Sequence, residues 1–245
     1  MNETVKQLYE RKSVRVFTDR EIEEEIVQEI LTSAAMAPTA GNQQLYTILR
    51  ITDQGIKDSL AVSCDDQPFI ADGKLVLVFC ADCLKWYDAF RLSGCNPREP
   101  GVGDLMLAVS DALIAAQNAV VAAESYGIGS CYIGDVMENA EVHIKTLGLP
   151  KYVFPAALLV FGYPTEQQKE RKKPQRANNK YIVHENTYRR MGADELRSML
   201  VKNCTEETYD GWIKRFCERK YNSDFAREMT RSVGVYLDQF KKEDN

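Results

Sequence analysis

Histidine is the scarcest of the chemically versatile residues in this chain: His143 and His184 are the only two in 245 positions. Neither stands in a recognisable nucleophile–base set, so hydrolytic and zinc-type catalysis find little support. An excess of positive charge is missing too. The net charge of −5 and a pI near 5.3 argue against a nucleic-acid protein, which needs a basic face to neutralise phosphates. Residues 1–20 hold no apolar signal core, and no later run reads as long and apolar enough to span a bilayer. Cysteine is present but unpatterned. Its seven residues are scattered and odd in number, which fits free thiols in a reducing cytoplasm. Cys80-Ala81-Asp82-Cys83 has CxxC spacing but lacks the second pair a zinc site would want, so structural cysteines are the expectation.

What the chain does have is a cationic knot, Arg11-Lys12-Ser13-Val14-Arg15, running into Val16-Phe17. Extended backbone there places Arg11, Ser13 and Arg15 on one side and Lys12 and Val14 on the other. Guanidinium forks flanking a hydroxyl suit a phosphate; the alternative is a solvated basic turn. Thr18-Asp19-Arg20-Glu21 has capping-box spacing and predicts a helix start at Thr18, with Ile22, Ile26, Val27, Ile30, Leu31 and Ala34 on its apolar face. Pro38-Thr39-Ala40-Gly41-Asn42-Gln43-Gln44 is an amide-rich loop, able to read the edge of a planar heterocycle or simply to cap a turn.

Tyr46–Ile51 reads as a strand, and Leu75–Cys80 and Phe154–Gly162 as fully buried ones. Short helices are expected around Ile56–Val62 and Glu141–Leu147, and Gly94–Gly103 reads as a loop. Asp104–Tyr126 is apolar on nearly every face, which predicts a helix buried all round, closed by Gly127 in the left-handed conformation. The glycines of Gly127-Ile128-Gly129-Ser130-Cys131-Tyr132-Ile133-Gly134-Asp135 follow a helix, so they do not make a Rossmann fingerprint. A basic arm, Lys169 to Arg176, precedes a tail with an apolar helical stripe from Glu195 onward.

Taken together, these stretches resemble the FMN-dependent nitroreductase and flavin-reductase family. Arg11–Phe17, Ala37–Gln44, Tyr126–Gly134, Val160–Pro164 and Lys173-Pro174 match its motifs in order, and the tail is similar to that of its larger oxygen-insensitive, NADPH-linked branch. The resemblance implies an α+β fold: a mixed central sheet covered by helices, in an intertwined homodimer with a C-terminal helical extension. Residues 1–194 would form the FMN-binding core and 195–245 the extension, packed on the partner subunit. It implies FMN as cofactor, NADPH or NADH as donor, and a small-molecule electron acceptor, with neither nucleic acid nor membrane as partner. The implied cofactor-binding set is Arg11, Lys12, Ser13, Arg15, Thr39, Ala40, Asn42, Gln44, Gln67, Tyr132, Ile133, Gly134, Asp135, Lys173 and Arg176. No protein acid, base or metal is implied, because the cofactor carries the chemistry.

The chain departs from the family at several points. Asp135 stands where glycine is usual, adding negative charge, and Arg176 is one residue wider than the usual Lys-Pro-Arg. Glu218–Asp224 matches, in shorter form, the loop before the last helix in the larger branch, and the resemblance implies that Arg219 and Lys220 contact the donor's 2′-phosphate. The expected activity is ping-pong reduction of nitroaromatics, quinones or free flavin. The alternatives are a specialised flavoenzyme of the same fold, of the reductive-dehalogenase type, and a non-enzymatic binding protein whose basic arm meets an acidic partner.

Overall fold

A computed structural model describes residues 1–201, 204, 205 and 207–241. Positions 202, 203, 206 and 242–245 of the expected tail lie outside the described residues. The elements run α1 (Glu3–Glu10), α2 (Glu24–Ala35), β1 (Tyr46–Arg50), α3 (Gln54–Ser63), β2 (Leu75–Asp82), α4 (Leu84–Leu92) and α5 (Val102–Ser125). They continue with β3 (Gly129–Ile133), α6 (Ala140–Leu147), β4 (Val153–Gly162), α7 (Glu166–Glu170), α8 (Ala193–Leu200), α9 (Tyr209–Lys220) and α10 (Asp224–Asp238).

The two continuous apolar runs are the central strands. Strand order is β1-β2-β4-β3, and every residue of β2 and β4 is buried. All three pairings are antiparallel. The mixed character expected of the sheet survives in one isolated parallel bridge, Ser13 to Ser130. Helix α5 contacts all four strands and carries α2 on its back, its alanines 108, 112, 115, 119 and 123 allowing close approach. Gly127 ends it at φ +71°, as expected.

Three expectations about helices need correction. Helix α5 is not buried all round: Met106 is 59% and Leu107 53% exposed, and Leu113 and Ile114 share that open face. With 24 apolar-rich residues it is also long and apolar enough to cross a bilayer, contrary to the sequence reading, although its other face packs on the sheet. The helix expected from Thr18 begins at Glu24 instead. Thr18 is held out by its N–H, which donates to the Tyr163 carbonyl at 2.8 Å, while Arg20 stacks on the Tyr163 ring at 4.0 Å. Tertiary pairing to the end of β4 outweighs a local cap.

The chain divides into two compact units, Met1–Arg171 with Glu228–Asn245, and Lys172–Arg227. In the second unit Trp212 and Phe216 stack at 5.2 Å and Arg197 lies over Tyr209, yet none of its described residues is buried. In the first unit, the last turns of α10 dock on the core beside β4 and α6. Tyr236 is fully buried edge-on to Phe154 at 5.1 Å, and Phe240 meets Tyr152 at 5.4 Å. The Tyr236 hydroxyl is buried without a partner. Tyr236→Phe should therefore hold or raise the melting temperature, because it removes an unsatisfied polar group. Tyr236→Ala should cost about 3–5 kcal/mol in urea unfolding by leaving a cavity. Equal losses in the two variants would contradict this account of the docking.

Candidate functional site

The site is built on an extended strap, Ser13–Phe17, laid across the ends of β3 and β4. Val14 N–H donates to the Ser130 carbonyl at 2.9 Å, and Phe17 bridges Pro164. Two glycines make room for it. A Cβ on Gly129 would stand 2.5 Å from Val14 Cγ2, and one on Gly162 would stand 2.7 Å from the Phe17 ring. With Val14 buried against Gly129, alternation turns Arg11, Ser13 and Arg15 the other way, where all three reach the neighbourhood of Cys131. Lys12 points away from them. Its ammonium takes the carbonyls of Lys169 and Arg171 at 2.5 and 2.6 Å, and the Arg171 guanidinium donates back to the Ser13 carbonyl. Lys12 thus tethers the start of the basic arm.

Arg11 Nε and Nη2 and Ser130 Oγ are buried without hydrogen-bond partners. Arg11 lies over the Tyr132 ring at 5.9 Å and Arg15 over Phe69 at 6.0 Å. Burial, opposed in part by Arg11, pushes the Tyr132 hydroxyl up to about 12, so it stays protonated. Orphaned guanidinium donors of this kind call for an anion, and a phosphate-bearing flavin fits them. A cleft of about 720 Å³ opens beside Arg15, bounded by Val16–Asp19, Lys57, Pro68, Phe69 and Ala71–Lys74. It does not extend to Arg11, Ser13 or Tyr132.

The amide loop folds into a single 3₁₀ turn, with Gly41, Asn42 and Gln44 all at positive φ (57°, 55° and 49°). Its anchor is a residue the sequence reading missed. Asp111, buried at 4% exposure in the middle of α5, accepts from Thr39 Oγ1, from Ala40 N–H at 3.2 Å and from Leu45 N–H at 3.2 Å. Thr39 is therefore turned inward, where its Oγ1 also accepts from Gln44 N–H at 2.8 Å. The Gln44 amide donates to the Ala35 carbonyl at 3.2 Å, while Asn42 is exposed. The signal was available: one acid within an otherwise apolar helix interior must be paired.

Gln67 Nε2 donates to the Cys64 carbonyl at 2.7 Å and to Asp135 Oδ2 at 3.1 Å. This pair joins the turn after α3 to the Ile133-Gly134-Asp135 end of β3. Lys173 and Arg176 belong to the second unit. Arg219 and Lys220 form the last turn of α9 rather than a loop, lying over Phe216 at 5.3 Å and Phe225 at 5.8 Å respectively. Helical spacing to aromatic neighbours continued the helix further than the family resemblance implied. Cys80 and Cys83 are both buried free thiols, pushed to about 12 mainly by burial, as expected of structural cysteines.

The profile of the nitroreductase family matches residues 8–163. The chain belongs to the nitroreductase family. It is 31% identical to the FMN reductase [NAD(P)H] of Bacillus subtilis over 98% of this chain and 92% of that one. It is 33% identical to the oxygen-insensitive NADPH nitroreductase of Salmonella typhimurium over 77% and 75%. Among solved structures, NfrA2 of B. megaterium superposes with a TM-score of 0.82 at 28% identity, covering 99% of this chain and all of that one. In this nitroreductase the matched region takes in the strap, the amide loop, Asp111 and the Gln67–Asp135 pair.

Asp111 should prove indispensable to the loop. Asp111→Ala leaves three donors facing an empty site and should cost about 3–5 kcal/mol in urea unfolding. Asp111→Asn, which turns one acceptor into a donor, should lose roughly half as much. A melting curve for Asp111→Ala that matches wild type would show that the loop holds itself.

Proposed function

We propose that this nitroreductase is an FMN-dependent NAD(P)H oxidoreductase that reduces nitroaromatics, quinones or free flavin. The observation that carries the reading is the pair of buried, partnerless N–H groups on Arg11, set beside Ser13 and Arg15 on one side of the strap. FMN, when bound, supplies hydride and electron transfer between nicotinamide and acceptor. The protein's part is to bind, orient and exclude water. Arg11, Ser13 and Arg15 hold the phosphate end. Ala40, Asn42 and Gln44 present the amide loop, its backbone fixed by Thr39 and Asp111. Gln67 has both amide hydrogens engaged, so Oε1 is the atom it offers to a ring N–H. Tyr132, Ile133 and Gly134 form the opposite wall, with Asp135 at its rim.

The working unit in this reading is a homodimer. It would cover the open α5 face of Met106, Leu107, Leu113 and Ile114, and the second unit, where Trp212 and Phe216 stack and none of the described residues is buried. Apolar faces of this size are normally covered by a partner, here a second copy of the chain. The helices after residue 195 would act as the extension onto that partner, although the end of α10 docks on its own core. Seven free cysteines suit a reducing cytoplasm. Arg219 and Lys220 are the candidates for reading a donor 2′-phosphate, which tilts the choice toward NADPH over NADH.

Two measurements test this. Arg15→Ala removes a charge-assisted contact, so FMN affinity should fall by roughly ten- to hundredfold, or about 1.5–3 kcal/mol. Unchanged retention of yellow cofactor after dialysis would contradict the assignment. Because donor and acceptor take turns at one site, steady-state plots at several acceptor concentrations should be parallel. Intersecting lines would mean that both are bound together.

A further inference from the structure

Behind the Gly134-Asp135 rim lies a buried acid for which the proposed chemistry has no use. Glu138 is 4% exposed, and its Oε1 is buried without a hydrogen-bond partner. A carboxylate oxygen in that position gives up water and gains no donor. Its neighbours make ionisation harder still. Asp135, whose backbone carbonyl accepts from Glu138 N–H at 3.0 Å, carries a carboxylate already bound to Gln67. Asp65 faces it from the turn after α3, and Glu228 faces it from α10, where that carboxylate accepts from Asn139 N–H at 3.2 Å.

Positive charge does little to relieve this. Arg231, the cation that reaches this group of acids, is shared between Glu228 and Glu141, each at 2.8 Å. His143, on α6, has Nδ1 at 2.8 Å from the Val136 carbonyl and Nε2 at 2.7 Å from Ser63 Oγ, and burial lowers its pKa. Burial first, and then Asp135, Asp65 and Glu228, raise the Glu138 carboxyl to about 7.

We propose that Glu138 is a proton-linked positioning residue of the flavin site. Its neutral acid leaves the rim with the single charge of Asp135, and its ionisation sets a second charge behind it. The inference rests on the flavin reading above. A phosphate-bearing flavin is an anion, so it should bind the protonated form more tightly. By linkage, binding should then favour the proton on Glu138. The same shift bears on stability. The carboxyl's folded pKa lies above its unfolded value of about 4.5, so its stabilising effect is complete below that pH and is lost as pH rises through about 7.

The test compares the full-length apoprotein with Glu138→Gln, a near-isosteric mimic of the protonated acid, by titrating FMN and following its fluorescence at pH 6 and pH 8. Titration of the FMN phosphate is common to both proteins and cancels in the comparison. At pH 6 the two should bind about equally; at pH 8 wild type should bind roughly three- to tenfold more weakly than the variant. In parallel, the melting temperature of apo wild type should fall relative to Glu138→Gln between pH 5 and pH 8. The infrared carbonyl band of a protonated carboxyl in wild type should fade over the same range, a reading that needs no variant. If FMN binds both proteins with the same pH profile, the linkage is overturned and the flavin reading stands. If FMN binds neither, the flavin reading falls and the linkage with it; the melts and the infrared band then decide whether Glu138 holds a buried proton.

Discussion

Everything at this site depends on how closely the Ser13–Phe17 strap lies on the sheet. Val14 and Phe17 occupy the space that side chains on Gly129 and Gly162 would fill, and two glycines far apart in sequence are thereby required by one contact. A methyl at either place would force the strap outward; overpacking of this kind typically costs 1–3 kcal/mol. The functional cost would be larger, because the seating of Val14 is what aims its neighbours. Extended backbone alternates, so burying Val14 sends Arg11, Ser13 and Arg15 to one side and Lys12 to the other. The strap's pairing to Tyr163 also draws Thr18 out of the helix that its local sequence would otherwise begin.

A second constraint works from beneath. Asp111 ties the longest helix to the amide loop through three donors, so a loop whose backbone includes three positive-φ residues is held by a single buried side chain. Non-glycine residues in that conformation are strained, and they persist where surrounding bonds over-determine them. The loop can then present Asn42 outward without ordering it again for each ligand. A ligand that meets a preformed edge escapes most of the entropy of arranging it.

How much of this could be read in the sequence follows from the range of each interaction. The central strands were legible because Leu75–Cys80 and Phe154–Gly162 are apolar without interruption, and only strands buried on both faces tolerate that composition. The cationic knot and the amide loop were legible as clusters. Asp111 was overlooked because its partners lie about seventy positions earlier in the chain, at Thr39, Ala40 and Leu45. The open face of α5 was misread for a related reason. Its composition is apolar all round, and composition cannot tell a face covered by its own chain from one left for another. Arg219 and Lys220 erred the other way, where the family resemblance implied a loop and aromatic neighbours at helical spacing extended α9 through them.

The electrostatics of the site are therefore set by two elements that oppose each other. Cations on the strap favour an anionic ligand, while the β3 end, with Asp135 at the rim and Glu138 behind it, disfavours a second negative charge. A purely cationic site would hold phosphate ligands tightly but would discriminate little among them. With acids at one rim, position matters: an anion is favoured at the Arg11–Arg15 end and penalised at the Asp135 end. A ligand with one charged end and one neutral, planar end satisfies both. In the proposed reading a flavin phosphate has that polarity, and the Gln67 amide, held by Asp135 and the Cys64 carbonyl, would fix which way round it lies.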